Sequence, residues 1–206
     1  KKDHGIIIRN NDSSIFRPCA ILLNNDLSVS IPNELKDIDQ HIIPPLNAGW
    51  VTRRKSHHFK YYDDVVNEFA EFTKIDPWLI NPFFEKISNL DFHERKGEEE
   101  LSQKVGSLLK KIQDKYDQHQ IKHAPYVVIK ADAGTYGMGI MIAKKPEDVL
   151  SLNRKKRNKM SVIKEGVKVS EVIIQEGIHS EENIDGAVTE PVIYMIDHFV
   201  IGGFYR

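Results

Sequence analysis

The segment YVVIKADAGTYGMGIMIA, Tyr126 to Ala143, restricts the fold more than any other part of the chain. An apolar run ends at Lys130. Glycines follow at Gly134, Gly137 and Gly139, and a second apolar run, Ile140 to Ile142, resumes at once. Short apolar runs bounded by turn residues read as buried strands, so the glycines belong to a strand–loop–strand hairpin. Glycine admits positive φ and close backbone approach, and a row of backbone N–H groups beside a lysine suits a polyphosphate. The same composition also suits a mobile hairpin that holds nothing. The order G-x-x-G-x-G running into a strand excludes a Walker A loop and a dinucleotide fingerprint, because both of those open a helix.

Composition excludes several classes. With 29 basic and 30 acidic residues, no global charge points to nucleic acid or a membrane surface. No apolar run approaches the roughly 20 residues of a membrane span, and no secretory signal is visible. Cys19 is the single cysteine, so no internal disulfide forms, as in a reducing cytosol. An apolar share of 40% supports a real core. The chain starts Lys1-Lys2 and stops at Arg206 directly after an apolar run, so a piece of a longer protein is expected.

Along the chain, Cys19 to Leu23 reads as a short buried strand. Ile31 to Trp50 reads as proline-rich loop with one helical turn after Pro32. Asp63 to Phe72 reads as a helix with Val65, Val66, Phe69 and Phe72 on one side. Asp76-Pro77-Trp78 starts another. Glu98 to Gln118 is the longest periodic segment, with Leu101, Val105, Leu108, Leu109 and Ile112 at helical spacing. Pro146 to Leu152 forms a short helix and Arg154 to Lys159 a charged stretch. Glu171 to Gln175, Pro191 to Ile196 and Phe199 to Tyr205 read as strands, the last two joined at Asp197-His198. The regular pattern from about Asp91 onward places a boundary there, dividing residues 1–90 from 91–206.

Four features occur in order: Val127-Val128-Ile129-Lys130, the Gly134–Gly139 loop, Gln175-Glu176-Gly177-Ile178, and the strand pair ending in Arg206. This resembles the ATP-grasp superfamily of carboxylate–amine ligases. The segments NNDLSVSIPNEL, PPLNAGWVTRRKSHHF, IDPWLINPFFE, KADAGTYGMGIM, LNRKKRNKMSV, QEGI and VIGGFYR are similar to the proteobacterial ATP-grasp-type glutamate–cysteine ligases over nearly the whole chain. The resemblance implies an α+β (α/β) fold. Residues 91–206 would form an ATP-grasp-like domain truncated at its C-terminus, and residues 1–90 a smaller substrate-side region. It implies a cytosolic enzyme using ATP and Mg²⁺ to phosphorylate the side-chain carboxylate of glutamate. The cysteine amine then displaces phosphate, the first step of glutathione synthesis. A glutathione synthetase, a peptide ligase or a non-catalytic nucleotide-binding module remains open. Metal ligands are expected after Arg206, none within the chain, and the 206-residue piece is expected to be inactive.

Under that resemblance Lys130 contacts the phosphates and stabilises charge in phosphoryl transfer; otherwise it is a snorkelling strand-end lysine. Gly134, Gly137 and Gly139 supply loop flexibility, while Tyr136 and Met138 cap the nucleotide or pack the hairpin. Gln175, Glu176 and Ile178 hold adenine at a strand exit through backbone carbonyls and an apolar face. Glu190 meets a ribose hydroxyl or a second metal, and Arg206 lies on the phosphates or acyl-phosphate. Lys96 is either a second phosphate lysine or surface charge. Arg53, Arg54 and Lys55 are candidates for a glutamate carboxylate, or else a solvated loop or an interdomain salt bridge. His119 and His123 have metal-ligand spacing but no third ligand, and read as surface residues.

Overall fold

The computed structural model describes residues 4–27, 30–50, 52–133, 139–162 and 168–206. It separates into two compact units, Lys1–Glu176 and Gly177–Arg206. In the first, β1 (Ile8–Arg9) and β2 (Ile15–Phe16) form a small antiparallel pair. Next, β3 (Ala20–Leu22) and β4 (His41–Ile43) pair in parallel. The strand expected at Cys19 to Leu23 is therefore present, but it is not buried: Leu22 is 78% exposed. The region from Ile31 to Trp50 carries two single 3-10 turns besides β4.

The elements that follow are α1 (Lys55–Thr73), β5 (Phe84–Ile87), α2 (Glu98–Gln118), β6 (Val127–Ala131), β7 (Ile140–Ala143), α3 (Glu147–Leu150), α4 (Arg154–Ser161) and β8 (Val172–Glu176). The strands assemble as one antiparallel sheet in the order β5-β8-β6-β7. β5 lies on the N-terminal side of the boundary expected at residue 91 and is an edge strand of this sheet. The glycine hairpin is the β6–β7 connection, with Lys130 opposite Ile140. Gly139 sits at φ +63, a conformation glycine reaches without a Cβ clash, and its carbonyl accepts the Ala131 N–H at 3.1 Å.

Alternation along each strand gives the sheet two faces. Val127, Ile129, Ala131, Ala143, Val172 and Ile174 point into the core. There they meet Leu101, Val105, Leu108, Leu109 and Ile112 of α2, the residues whose 3.6-residue spacing predicted that helix. The acidic run Glu98-Glu99-Glu100 in its first turn and Lys115 in its last match the helix dipole. The opposite face carries Val128, Lys130, Ile140, Ile142, Ile173, Gln175, Phe84 and Lys86 by register. On the β5 side α1 lies against it, with Phe59 and Phe84 ring centroids 5.3 Å apart.

The second unit holds β9 (Asn183–Ile184) paired with β10 (Ala187–Val188), and β11 (Pro191–Ile196) paired with β12 (Phe199–Tyr205). The hairpin β11–β12 turns at Asp197, whose φ of 54 is the left-handed value tight turns require. No helix among the described residues is long and apolar enough to cross a membrane.

Candidate nucleotide and carboxylate site

The first turn of α1 starts eight residues before the sequence pattern predicted it. The helix begins at Lys55, and the residue before it, Arg54, makes no side-chain cap. Instead the cap comes from the far end of β6. Asp132, 1% exposed, accepts the Ser56 N–H at 2.7 Å on one carboxylate oxygen and the Ser56 hydroxyl at 2.7 Å on the other. Its backbone carbonyl accepts the Lys55 N–H at 3.0 Å. A helix N-terminus leaves its first N–H groups unpaired and favours a nearby negative charge. Asp132 meets both needs from 76 positions downstream, beyond the reach of any local capping signal.

This junction brings Arg53, Arg54 and Lys55 to the end of the strand that carries Lys130. The Lys55 ammonium donates to the Ala131 carbonyl at 2.7 Å. Burial pulls the pKa of Lys55 down, and the neighbouring charge of Lys130 adds to the effect while Asp132 opposes it. Lys130 is half-buried, and burial lowers its pKa too. Among the described residues no carboxylate lies within ion-pair distance of Lys130. Lys86 bridges Asp132 at 3.4 Å and Glu171 at 2.9 Å. The hydrogen bond that Lys86 donates to Glu171 is the main cause of its raised pKa.

Two small cavities flank the junction. One, about 80 Å³, is lined by Trp50, Arg53, Arg54, Lys55, Phe59 and Asp132 among others. The Arg53 guanidinium lies over the Trp50 ring at 4.7 Å, a cation–π contact that fixes its direction. The other, about 120 Å³, lies between Arg54, Ala131, Ala133, Lys168 and Glu171. Lys168 also pairs with Asp91 at 2.6 Å, and that hydrogen bond is the main reason the Asp91 pKa falls to about 2.

At the other end of the sheet, Gln175 and Glu176 terminate β8. Gln175 faces away from the core, level with Val128 and Phe84, and its side-chain oxygen is buried with no partner among the described residues. Glu176 turns to the core side. One oxygen accepts the Trp78 indole N–H at 2.9 Å and the Phe83 N–H at 3.1 Å, and burial raises its pKa. Its side chain therefore braces the strand exit, where the Glu176 N–H donates to the Phe83 carbonyl at 2.8 Å.

The remaining residues fall elsewhere. Lys96 lies exposed in the turn before α2, its N–H and carbonyl paired with Asp91 at 2.9 and 3.1 Å. Gly134, Tyr136, Gly137 and Met138 lie outside the described residues. Ile178, Glu190 and Arg206 belong to the second unit, where Arg206 and Glu190 form an ion pair and exchange two backbone hydrogen bonds of 3.0 Å. His119 is not a plain surface histidine: it meets Asp76 at 3.3 Å and stacks near Trp78, ring centroids 5.2 Å apart. Among the described residues no group of three or more His, Cys, Asp or Glu could hold a metal ion. Sequence reasoning missed Asp132, Ser56 and Lys86, whose roles depend on contacts between distant segments.

The family model described as glutamate-cysteine ligase matches residues 5–206. The chain belongs to that family. It is also similar to a crystal structure from Methylobacillus flagellatus KT named "Putative gamma-glutamylcysteine synthetase", at 59% identity and a TM-score of 0.85. That match covers 100% of this chain and 47% of the other, so this chain spans about half the length of its solved relative. Comparison with the curated proteins gives no match.

Proposed function

We propose that this chain is the substrate-side and nucleotide-covering part of an ATP-dependent glutamate–cysteine ligase of the ATP-grasp type. The observation that carries the reading is the meeting of Arg53, Arg54 and Lys55 with Lys130 at the mouth of the glycine hairpin. A half-buried ammonium with no carboxylate partner among the described residues pays for its desolvation only when an anion arrives. The sheet face beside it suits a nucleotide: Val128, Ile140 and Ile142 offer apolar surface to a base.

In this reading Lys130 lies on the phosphates and offsets charge that grows on their oxygens in phosphoryl transfer. Arg53 and Arg54 orient a glutamate carboxylate; guanidinium suits the task because it binds carboxylate in two-point fashion. Lys55 stays fixed on Ala131 and lends positive potential to the site. Acyl transfer to an amine through an activated carboxylate needs no protein nucleophile. Mg²⁺, when bound, would draw the phosphate charge together, and we assign no residue here to hold it.

The test is ADP release by the full-length protein with ATP, Mg²⁺ and glutamate, with candidate amines added in turn. Release that requires cysteine supports the reading. Release that requires a different amine points to another ligase of the same fold, and ATP binding without release points to a nucleotide-binding module.

A further inference from the structure

A cavity of about 340 Å³ lies between α1, the 3-10 turn Pro77–Leu79 and the start of β5, on the far side of Phe59 from the anion-binding junction. It takes polar residues Asp63, Asn67 and Asn81 and aromatic walls from Trp78, Phe83 and Phe84. Among the described residues no lysine, arginine or histidine lines it. Asn81 is 6% exposed and donates its amide N–H to the Asp63 carboxylate at 3.0 Å. That bond fixes the amide orientation, since the flipped form would set oxygen against oxygen. The Asn81 side-chain oxygen is then buried with no partner among the described residues. Asp63, a half-buried carboxylate, has no cation within ion-pair distance among the described residues, and Asn67 stands one helical turn away on the same side of α1.

We propose that this cavity binds a primary ammonium group. The chemistry of its lining selects among ligands. The Asp63 charge repels an anion. Among the described residues no group of three or more His, Cys, Asp or Glu could hold a metal ion, and Asp63 is the single carboxylate in this lining. An organic ammonium brings N–H donors to the Asp63 carboxylate and the Asn67 amide oxygen, and its carbon chain suits aromatic walls that also attract cations. Asp63 lies eight residues along α1 from Lys55, about 12 Å of helix. The cavity is therefore a subsite separate from the carboxylate-binding end, and it does not depend on the ligase reading.

Isothermal titration of the full-length protein at neutral pH, without nucleotide, tests this. The probes are L-glutamate, L-cysteine and butane-1,4-diamine, each beside its N-acetylated form. The expected result is saturable binding of at least one free amine and none of its acetylated form. An amino-acid hit identifies a substrate or product amine; a diamine hit identifies a polyamine. Asp63→Asn, which keeps the acceptor for Asn81 and removes the charge, weakens that binding roughly ten- to hundred-fold, the worth of a charge-assisted hydrogen bond. If Asp63→Asn fails to fold, Asn67→Leu on the exposed helix face carries the same expectation. The proposal is overturned if no amine saturates at tens of millimolar. It is also overturned if acetylated and free ligands bind alike, or if the folded variant binds unchanged. ADP release that persists through such a failure leaves the ligase reading standing.

Discussion

Removing Asp132 should loosen α1 from the sheet by an amount that can be worked from its contacts. The carboxylate accepts two hydrogen bonds of 2.7 Å from Ser56, one from the backbone and one from the hydroxyl, and Lys86 stands 3.4 Å away. Loss of a helix N-cap costs about 0.5–2 kcal/mol, and a hydrogen bond to a charged group about 1.5–3 kcal/mol. Lys86 retains Glu171 at 2.9 Å, so its share is small. Asp132→Ala is therefore expected to cost about 3–5 kcal/mol, and Ser56→Ala, which keeps the backbone bond, about 1.5–2.5 kcal/mol. Because the two residues act on each other, the double variant should fall short of the sum by about 1 kcal/mol or more. Urea unfolding of the full-length protein, followed by tryptophan fluorescence, gives these values; Trp50 lies over Arg53 next to the helix start. A loss below about 1 kcal/mol for Asp132→Ala, or strictly additive single variants, would refute the capping argument.

Other consequences follow from burial and charge. Lys130→Met should raise the melting temperature at neutral pH while weakening ATP binding, because burial has depressed the lysine pKa and its charge is a cost until an anion binds. The unfolded chain binds that proton more tightly, so wild-type stability rises as pH climbs toward the ordinary lysine value, and the variant's advantage should shrink there. Glu176 has a raised pKa from burial, so its penalty appears as pH rises from about 4.5 through the folded value; Glu176→Gln should flatten that part of the pH–stability curve, measured by thermal melts. For Asp91 the sign is opposite. Its contribution is full above its ordinary value of 3.8 and disappears as pH falls toward about 2, so Asp91→Asn should lose this acid dependence. Leu101→Ala, at a position with no exposed surface, should cost about 2–5 kcal/mol by denaturant unfolding.

Much of the fold was legible where one face decides. The apolar spacing from Leu101 to Ile112 gave α2 its full span, Glu98–Gln118, because every such residue is packed against the sheet. The hairpin was legible for the same reason, since apolar runs around glycines have few other solutions. Periodicity failed on α1. Val65, Phe69 and Phe72 share a side and are 62%, 51% and 87% exposed, and only Val66 of the expected stripe is buried. The helix is held instead through Ser56 and Phe59, one polar and one in a basic segment. The strand β5 has no apolar run to announce it, since Glu85 and Lys86 fill its centre; both side chains are taken up in ion pairs. The stretch Arg154 to Lys159 proved helical, and its signal was available: Asn153 caps α4 by accepting the Lys156 N–H at 2.9 Å.

In the site, the sequence placed Lys130 beside the loop and nominated Arg53, Arg54 and Lys55 separately. What it could not show is that one buried carboxylate, Asp132, brings the two together. Contacts between residues 76 positions apart leave no periodic trace. The turn of the Glu176 side chain toward Trp78 is likewise a tertiary fact.

The central claim is that Lys130 receives the phosphates of a nucleotide. Its most direct test is lysine reactivity, measured by mass spectrometry on the full-length protein with and without a non-hydrolysable ATP analogue and Mg²⁺. Lys130 should be strongly protected by the analogue, while Lys110, exposed on α2 and paired with Asp114, should react alike in both. Equal labelling of Lys130 in both states, at an analogue concentration that saturates the protein, would contradict the account.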